Sequence, residues 1–231
     1  LVEIALDKGQ IPILVGGTML YIKCFRDGIS RLPGRDDFVR NDLEERMQKF
    51  GAEKLYQELL EIDPDVAKNI HPNNRQRVLR ALEVFLVTGK KLSTLWRENP
   101  SKSLSDRLNG KLRMVALMQE EKSQLHRRIE MRFHEMLEKG FLEEVEALRE
   151  RFELDLSKPA MRAVGYQQAW RYLEGLIDRP SFISEAISAT KLLAKKQMTW
   201  LRGWEDKQII TPADNQKIIE ELKFQCCLLL Q

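Results

Sequence analysis

The segment Gly16-Gly17-Thr18 has a sequence that suits phosphate binding. Glycines leave the backbone open to a ligand, and a helix beginning near Thr18 exposes free N–H groups at the positive end of its dipole. The apolar run before them, 11–15, predicts a buried parallel strand that ends in this turn. A plain structural turn is the alternative, because three residues alone are not specific.

Positive charge is concentrated in two segments of the chain. No acidic residue lies within 68–80 or between Glu185 and Glu205, whereas each segment contains four basic residues. These are Lys68, Arg75, Arg77 and Arg80, and Lys191, Lys195, Lys196 and Arg202. Because the formal net charge is only +3, such local basic faces favour a phosphate ligand or a polyanion partner. A solvated helix face is the alternative for each segment.

Two further arginines, Arg128 and Arg132, lie one turn apart on a helix predicted to run from Lys122 to a stop at Gly140. The ordinary interpretation of Arg132 is an i,i+3 partner of Glu135. No metal site is predicted, since His126, His134 and the three cysteines lack metal-ligand spacing. Reduced thiols without a function are expected for those cysteines, Cys24, Cys226 and Cys227.

The elements around these residues predict an α/β protein with an insertion. Residues 1–33 form the first part of the core, 34–100 a mostly helical insertion, and 101–231 the rest of the core, which is mostly helical. The apolar patterns of 111–119 and 208–210 predict short strands. A long helix is predicted from Ser181 to Trp204, with Leu193, Trp200 and Trp204 on its apolar side.

Composition and hydropathy restrict the class of protein. The chain has 231 residues, 43% of them hydrophobic, which is enough to bury a core. No apolar run reaches the roughly 18 residues that a membrane span needs, and the first residues lack a signal-peptide pattern. These features predict a globular cytoplasmic protein that does not bind membranes.

Five blocks in order resemble the bacterial tRNA dimethylallyltransferases, also called tRNA isopentenyltransferases. The blocks are VGGTMLY, IHPNNRQRVLRALEVF, RIEMRFHEML, RAVGYQQAW and AKKQMTWLRGW, and together they extend over nearly the whole chain. The resemblance implies a P-loop NTPase-like parallel-sheet core with a helical insertion that binds the tRNA anticodon arm, the two enclosing a channel. A monomer is also expected, and Mg²⁺ is expected as the cofactor.

The implied reaction transfers the dimethylallyl group of dimethylallyl diphosphate to N6 of adenosine 37 in tRNA. By resemblance, Thr18 and Arg132 are catalytic, Gly16, Gly17, Thr18, Arg128 and Arg132 bind the diphosphate, and Thr18 also contacts tRNA. The other implied tRNA contacts are Arg40; Gln76, Arg77, Val78, Leu79 and Arg80; Arg162, Ala163, Val164, Gly165, Tyr166 and Gln167; and Lys195, Lys196, Gln197, Met198, Thr199, Trp200, Leu201 and Arg202.

The chain departs from the family pattern in two places. The family's GxTxSGK loop and the aspartate thought to act as general base precede the VGGT turn, and neither occurs in 1–231. The expectation is therefore that an N-terminal portion is missing and that the fragment alone is inactive. Gln167 also stands where the family usually has a basic residue.

Three other functions remain open on the residues alone. An adenylate isopentenyltransferase would not need the arginines of the insertion, because a mononucleotide acceptor has no anticodon arm. A non-catalytic RNA-binding module would not need Gly16-Gly17-Thr18 or Arg132. A fragment of a P-loop kinase for small molecules would leave the second basic segment unexplained.

Overall fold

The computed structural model describes residues 1–101, 103–108, 112–119, 121–156, 158–205, 207–211 and 215–229. The chain divides into two compact units. We call Leu1–Met19 together with Leu112–Gln231 the sheet unit, and Leu20–Lys111 the helical unit. The predicted domain boundaries after residues 33 and 100 differ from these and stay a prediction.

The described residues of the helical unit form helices joined by short loops. The first helix begins at Met19, the residue at which the first segment of the sheet unit ends. Its elements are α2 (Met19–Asp27), α3 (Asp37–Ile62), α4 (Pro64–Ala67), α5 (Arg75–Thr88), α6 (Leu92–Glu98) and α7 (Leu104–Arg107). The core lies between α3 and α5, where Leu43, Leu59, Val78 and Leu82 are fully buried.

Side-chain caps mark the starts of α3, α4, α5 and α7, and glycines mark the end of α5 and a kink in α3. The Asp36 carboxylate accepts a hydrogen bond from Val39 N at 3.0 Å and starts α3. Asn74 caps α5 through Arg77 N, and Gly89 ends α5 with φ of +68°. Gly51, with φ of +83°, kinks α3 at the position where the sequence predicts one helix to stop. The sequence predicts these same bounds for α5, because Asn74 is a capping residue and Gly89 a helix stop, and the structure confirms them.

The sheet unit holds one small parallel sheet and most of the remaining helices. Its elements are α1 (Val2–Asp7), β1 (Val115–Leu117), α8 (Lys122–Glu138), α9 (Phe141–Arg151), a 3₁₀ turn (Pro159–Arg162), α10 (Tyr166–Leu173), α11 (Arg179–Arg202), β2 (Gln208–Ile210) and α12 (Asn215–Leu229). The described part of the chain is thus mostly helical, with a parallel two-stranded sheet.

The two strands confirm the predicted short strands. β1 pairs with β2 in parallel, with Ala116 opposite Ile209. The predicted first strand, 111–119, was longer at both ends, and residue 111 lies outside the described residues. The helices between the two strands supply the crossover connection that a parallel pair needs.

The strand predicted for 11–15 is wrong. These residues have no regular secondary structure, and Val15 is 93% exposed. A strand is stabilised by hydrogen bonds to a neighbouring strand and by side chains that cover its faces. No described strand pairs with this run, so its apolar pattern alone does not produce one.

The core of the sheet unit is built from aromatic rings on four helices. Phe133 packs edge-on against Phe182 at 5.7 Å between ring centroids, and Tyr172 stacks on Phe182 at 5.4 Å. Asp178 caps α11, so this helix begins at Arg179 and not at Ser181. Leu193 is 42% exposed, which contradicts its predicted burial, because the aromatic cluster covers only the first turns of α11.

Gly165 allows the chain to pass from the 3₁₀ turn into α10. Its φ is +95°, and a Cβ there would lie 3.3 Å from Phe141 Cζ. We expect Gly165→Ala to lower the free energy of unfolding by about 1–3 kcal/mol through backbone strain and the close ring contact. Chemical denaturation measures the change. Gly34→Ala is the matched control, because no atom lies within 4 Å of its Cβ position, and equal losses in both variants would contradict the prediction.

Candidate active site

The predicted phosphate-binding turn, residues 16–18, is open to solvent. Gly16, Gly17 and Thr18 are all exposed, and no atom lies within 4 Å of the position that a Cβ would take on Gly16. The next residue, Met19, begins α2, so the helix start predicted near Thr18 is confirmed. The first N–H groups of α2 have no partner within the helix and are donors for an anion.

A single side chain joins this turn to the second basic segment. Gln197 Nε2 on α11 donates a hydrogen bond to Gly17 O at 2.8 Å. The turn and residues 195–202, which the sequence predicts to bind diphosphate and tRNA respectively, are therefore adjacent in the sheet unit. Lys195, Lys196 and Arg202 are exposed, and none of them pairs with a described residue.

The predicted arginines on α8 are exposed and free. Neither the Arg128 nor the Arg132 side chain forms an ion pair or hydrogen bond with any residue in the described ranges, and the alternative Arg132–Glu135 pair is therefore not formed. A free guanidinium on a helix surface can bind an anionic ligand without first losing a partner.

An ion pair connects α8 to α11 at Glu130, which lies between Arg128 and Arg132 in the sequence. Lys191 of α11 donates to the Glu130 carboxylate, and this hydrogen bond holds the pKa of Glu130 below its usual value. Glu130 lies two residues from both Arg128 and Arg132. α11 thus contacts the helix that carries the arginines and, through Gln197, the turn of residues 16–18. Sequence reasoning placed Lys191 on the solvated basic face and did not foresee this pair.

The predicted tRNA segment 162–167 is only partly exposed. Arg162, Ala163, Val164 and Gln167 are exposed, whereas Gly165 is buried. The Tyr166 ring packs edge-on against Phe141 at 5.4 Å, and its hydroxyl donates to Glu144, which raises the pKa of Tyr166. Contacts with Phe141 and Glu144 therefore fix the orientation of the Tyr166 ring.

The predicted tRNA residues of the helical unit divide into exposed and buried groups. Gln76 and Arg77 are exposed, and Arg77 has no side-chain partner among the described residues. Val78 and Leu79 are 0% and 4% exposed, so their side chains belong to the core between α3 and α5. Direct RNA contact by these two side chains is not compatible with that burial.

Arg40 and Arg80 are held by a buried carboxylate, Glu83. Glu83 is 1% exposed, and its Oε2 lies 3.1 Å from Arg80 Nη1 and 3.6 Å from Arg40 Nη1. Its Oε1 accepts from Asp36 N at 2.9 Å. Arg80 also donates to the carbonyl of Gly34 at 3.3 Å and to that of Pro33. Sequence reasoning missed Glu83, although a glutamate within the apolar run of α5 is a signal for a buried ion pair.

The described side chains offer no group of three or more His, Cys, Asp or Glu that could hold a metal ion. No helix among the described residues is both long and apolar enough to cross a membrane.

Comparison with known proteins identifies the family of this chain. The model of the IPP transferase family matches residues 1–204. The chain belongs to this family. It is 42% identical over 227 residues to the tRNA dimethylallyltransferase 2 of Hahella chejuensis, and the match covers 94% of this chain and 68% of that protein.

Solved structures of IPP transferases have the same fold. The full-length tRNA isopentenylpyrophosphate transferase of Bacillus halodurans is 30% identical with a TM-score of 0.61, over 99% of this chain and 70% of that one. A eukaryotic dimethylallyltransferase solved acting on tRNA is 25% identical with a TM-score of 0.65, over 92% of this chain and 54% of that one.

Proposed function

We propose that the full-length protein transfers the dimethylallyl group from dimethylallyl diphosphate to N6 of adenosine 37 in tRNA. The observation that carries this function is the family match over residues 1–204, together with the 42% identity to a tRNA dimethylallyltransferase. The likeness to a eukaryotic enzyme acting on tRNA supports tRNA as the acceptor. The chemistry is prenyl transfer with diphosphate as the leaving group.

The residues of the sheet unit provide the diphosphate site in this proposal. Gly16, Gly17 and Thr18 offer backbone N–H groups and a hydroxyl, and Arg132 offers a free guanidinium. As the bond from the allylic carbon to the diphosphate oxygen breaks, negative charge grows on the diphosphate and positive charge on the allyl group. Donors fixed near the diphosphate stabilise that charge separation, which is the largest contribution to catalysis in such reactions. Arg128, one turn away, supports Arg132.

The acceptor adenine must leave its stack before N6 can reach the allylic carbon. When the N6–carbon bond forms, N6 loses a proton, and a base outside the residues named here has to accept it. We propose that Lys195, Lys196 and Arg202 bind phosphates of the tRNA, because they are exposed and unpaired. Arg162 and Gln167 supply further polar contacts to single-stranded bases.

Four finer features belong to the same proposal. They are a P-loop NTPase-like core, a magnesium ion bound through the diphosphate, a monomeric protein and a cytoplasmic location. Magnesium would neutralise part of the negative charge of the diphosphate. Among the described residues, no group of three or more His, Cys, Asp or Glu side chains could hold it.

Arg77 provides a test of the proposed tRNA surface on the helical unit. We expect Arg77→Ala to weaken tRNA binding. The slope of log K against log salt concentration should fall in magnitude by about one, which is the contribution of one phosphate contact. Thermal stability should not change, since Arg77 is exposed and unpaired. The measurement is a salt titration of tRNA affinity.

The matched control for Arg77 is Lys90→Ala, which removes an exposed cation that pairs with Glu98 in the same unit. An unchanged slope in Arg77→Ala, or an equal fall in both variants, would place the tRNA on a different surface.

A genetic experiment tests the overall function. The full-length gene is expressed in a bacterium that lacks its own tRNA dimethylallyltransferase, and the tRNA nucleosides are analysed by mass spectrometry. We expect N6-dimethylallyl adenosine to return. Its absence, with the protein present at normal levels, would contradict the proposed function.

A further inference from the structure

One contact in the sheet unit distinguishes the two glycines of the turn. Gln197 Nε2 donates to Gly17 O at 2.8 Å, and a Cβ built on Gly17 would lie 2.5 Å from the same nitrogen. The Cβ position of Gly16 has no atom within 4 Å. A Cβ on Gly17 would therefore force the Gln197 amide to move, whereas Gly16 faces open space.

The hydrogen bond fixes more than the carbonyl to which it is made. The carbonyl of Gly17 and the N–H of Thr18 belong to one planar trans peptide group, in which they point in opposite directions. Holding the carbonyl towards α11 therefore directs the Thr18 N–H away from α11. It also fixes the peptide plane from which the Thr18 side chain projects.

We propose that Gln197 is a positioning residue for the phosphate-binding turn, acting through the Gly17–Thr18 peptide group. This inference rests on the proposed function, because it assumes that Thr18 binds the diphosphate. It gives Gln197 a role different from the tRNA contact that the resemblance implies. One N–H of the Gln197 amide is used on Gly17, and α11 presents Lys195 and Lys196 to solvent on its exposed side.

The two roles predict different kinetics. Loss of a positioning hydrogen bond leaves tRNA affinity intact and slows the chemical step, since the donors no longer sit where charge develops. Loss of a tRNA contact weakens tRNA binding and leaves the rate at saturating tRNA unchanged. Single-turnover transfer at saturating tRNA and a separate tRNA binding titration distinguish them.

A double-mutant cycle in the full-length protein tests the contact itself. Gln197→Met keeps the length of the side chain and removes its donor, and Gly17→Ala places a methyl group where the amide lies. We expect each variant to lower the single-turnover rate constant by about tenfold, as for a lost hydrogen bond that orients a reacting group. The double variant should lose no more than either single one, because both remove the same interaction. The tRNA Kd should change by less than about twofold.

The control is Ser188→Ala, which alters an exposed residue of α11 about two and a half turns from Gln197 and should retain the wild-type rate. Thermal denaturation of every variant detects misfolding, and if Gly17→Ala misfolds, the rate and Kd of Gln197→Met decide alone. A normal rate in Gln197→Met, a raised tRNA Kd with a normal rate, or multiplicative losses in the double variant would overturn the inference. An inactive wild-type enzyme would instead overturn the proposed function.

Discussion

Replacing Glu83 with alanine is expected to lower the free energy of unfolding by about 2–4 kcal/mol. The substitution leaves the guanidiniums of Arg40 and Arg80 without their shared carboxylate, and the Asp36 N–H without its acceptor. Removing one partner of a buried ion pair lowers the free energy of unfolding by about 3–5 kcal/mol. We take the lower range because the side chains of Arg40 and Arg80 are 15% and 33% exposed.

Urea denaturation of three variants measures this effect. Glu83→Gln keeps the size of the side chain and an acceptor for Asp36 N, so we expect a loss intermediate between those of wild type and Glu83→Ala. Glu44→Ala is the matched control, because it removes the half-exposed partner of Arg40 at 2.9 Å and should cost less than about 1 kcal/mol. If Glu83→Ala and Glu44→Ala have equal stability, Glu83 does not hold the segment of residues 33–36.

The second large effect is expected at Arg132. We predict that Arg132→Ala lowers the single-turnover rate of dimethylallyl transfer by about 10²–10³-fold, the range found when one donor to a developing anion is removed. Affinity for tRNA should stay close to wild type, since Arg132 is assigned to the diphosphate. Thr18→Ala should act in the same direction. The measurement is rapid-quench transfer with saturating tRNA and dimethylallyl diphosphate.

The same helix supplies the control for Arg132. Arg127 is also exposed on α8 and has no assigned role, so Arg127→Ala should keep the wild-type rate, with Arg128→Ala between the two. A rate for Arg132→Ala equal to that of Arg127→Ala would remove Arg132 from the diphosphate site.

Local structure was predictable where one residue type determines it. Asn74 and Gly89 give the two ends of α5, and Asp63-Pro64 gives the start of α4, because caps and proline act within one turn of the chain. The run 11–15 was not predictable from its pattern. Its strand would depend on a neighbour, and pairing is a property of two segments.

In the candidate site, the sequence identified individual residues but not the contacts between distant segments. The identities of Gly16, Thr18 and Arg132 came from sequence blocks, and their exposure in the structure is compatible with ligand binding. The hydrogen bond from Gln197 to Gly17 joins residues 180 positions apart, and nothing in either segment indicates it. The burial of Val78 was predictable, because Val78 and Leu82 lie one turn apart on the apolar stripe of α5. The sequence block that implies RNA contact by Val78 and Leu79 does not separate this stripe from the polar residues beside it.

The central claim is that the protein prenylates an adenosine of tRNA. The most direct measurement incubates the purified full-length protein with unmodified tRNA, dimethylallyl diphosphate and magnesium, and then maps the modified nucleotide by nuclease digestion and mass spectrometry. We expect an N6-dimethylallyl adenosine at position 37, and its loss in Arg132→Ala. Unmodified tRNA with the wild-type protein, or prenylation of free adenine nucleotide in preference to tRNA, would contradict it.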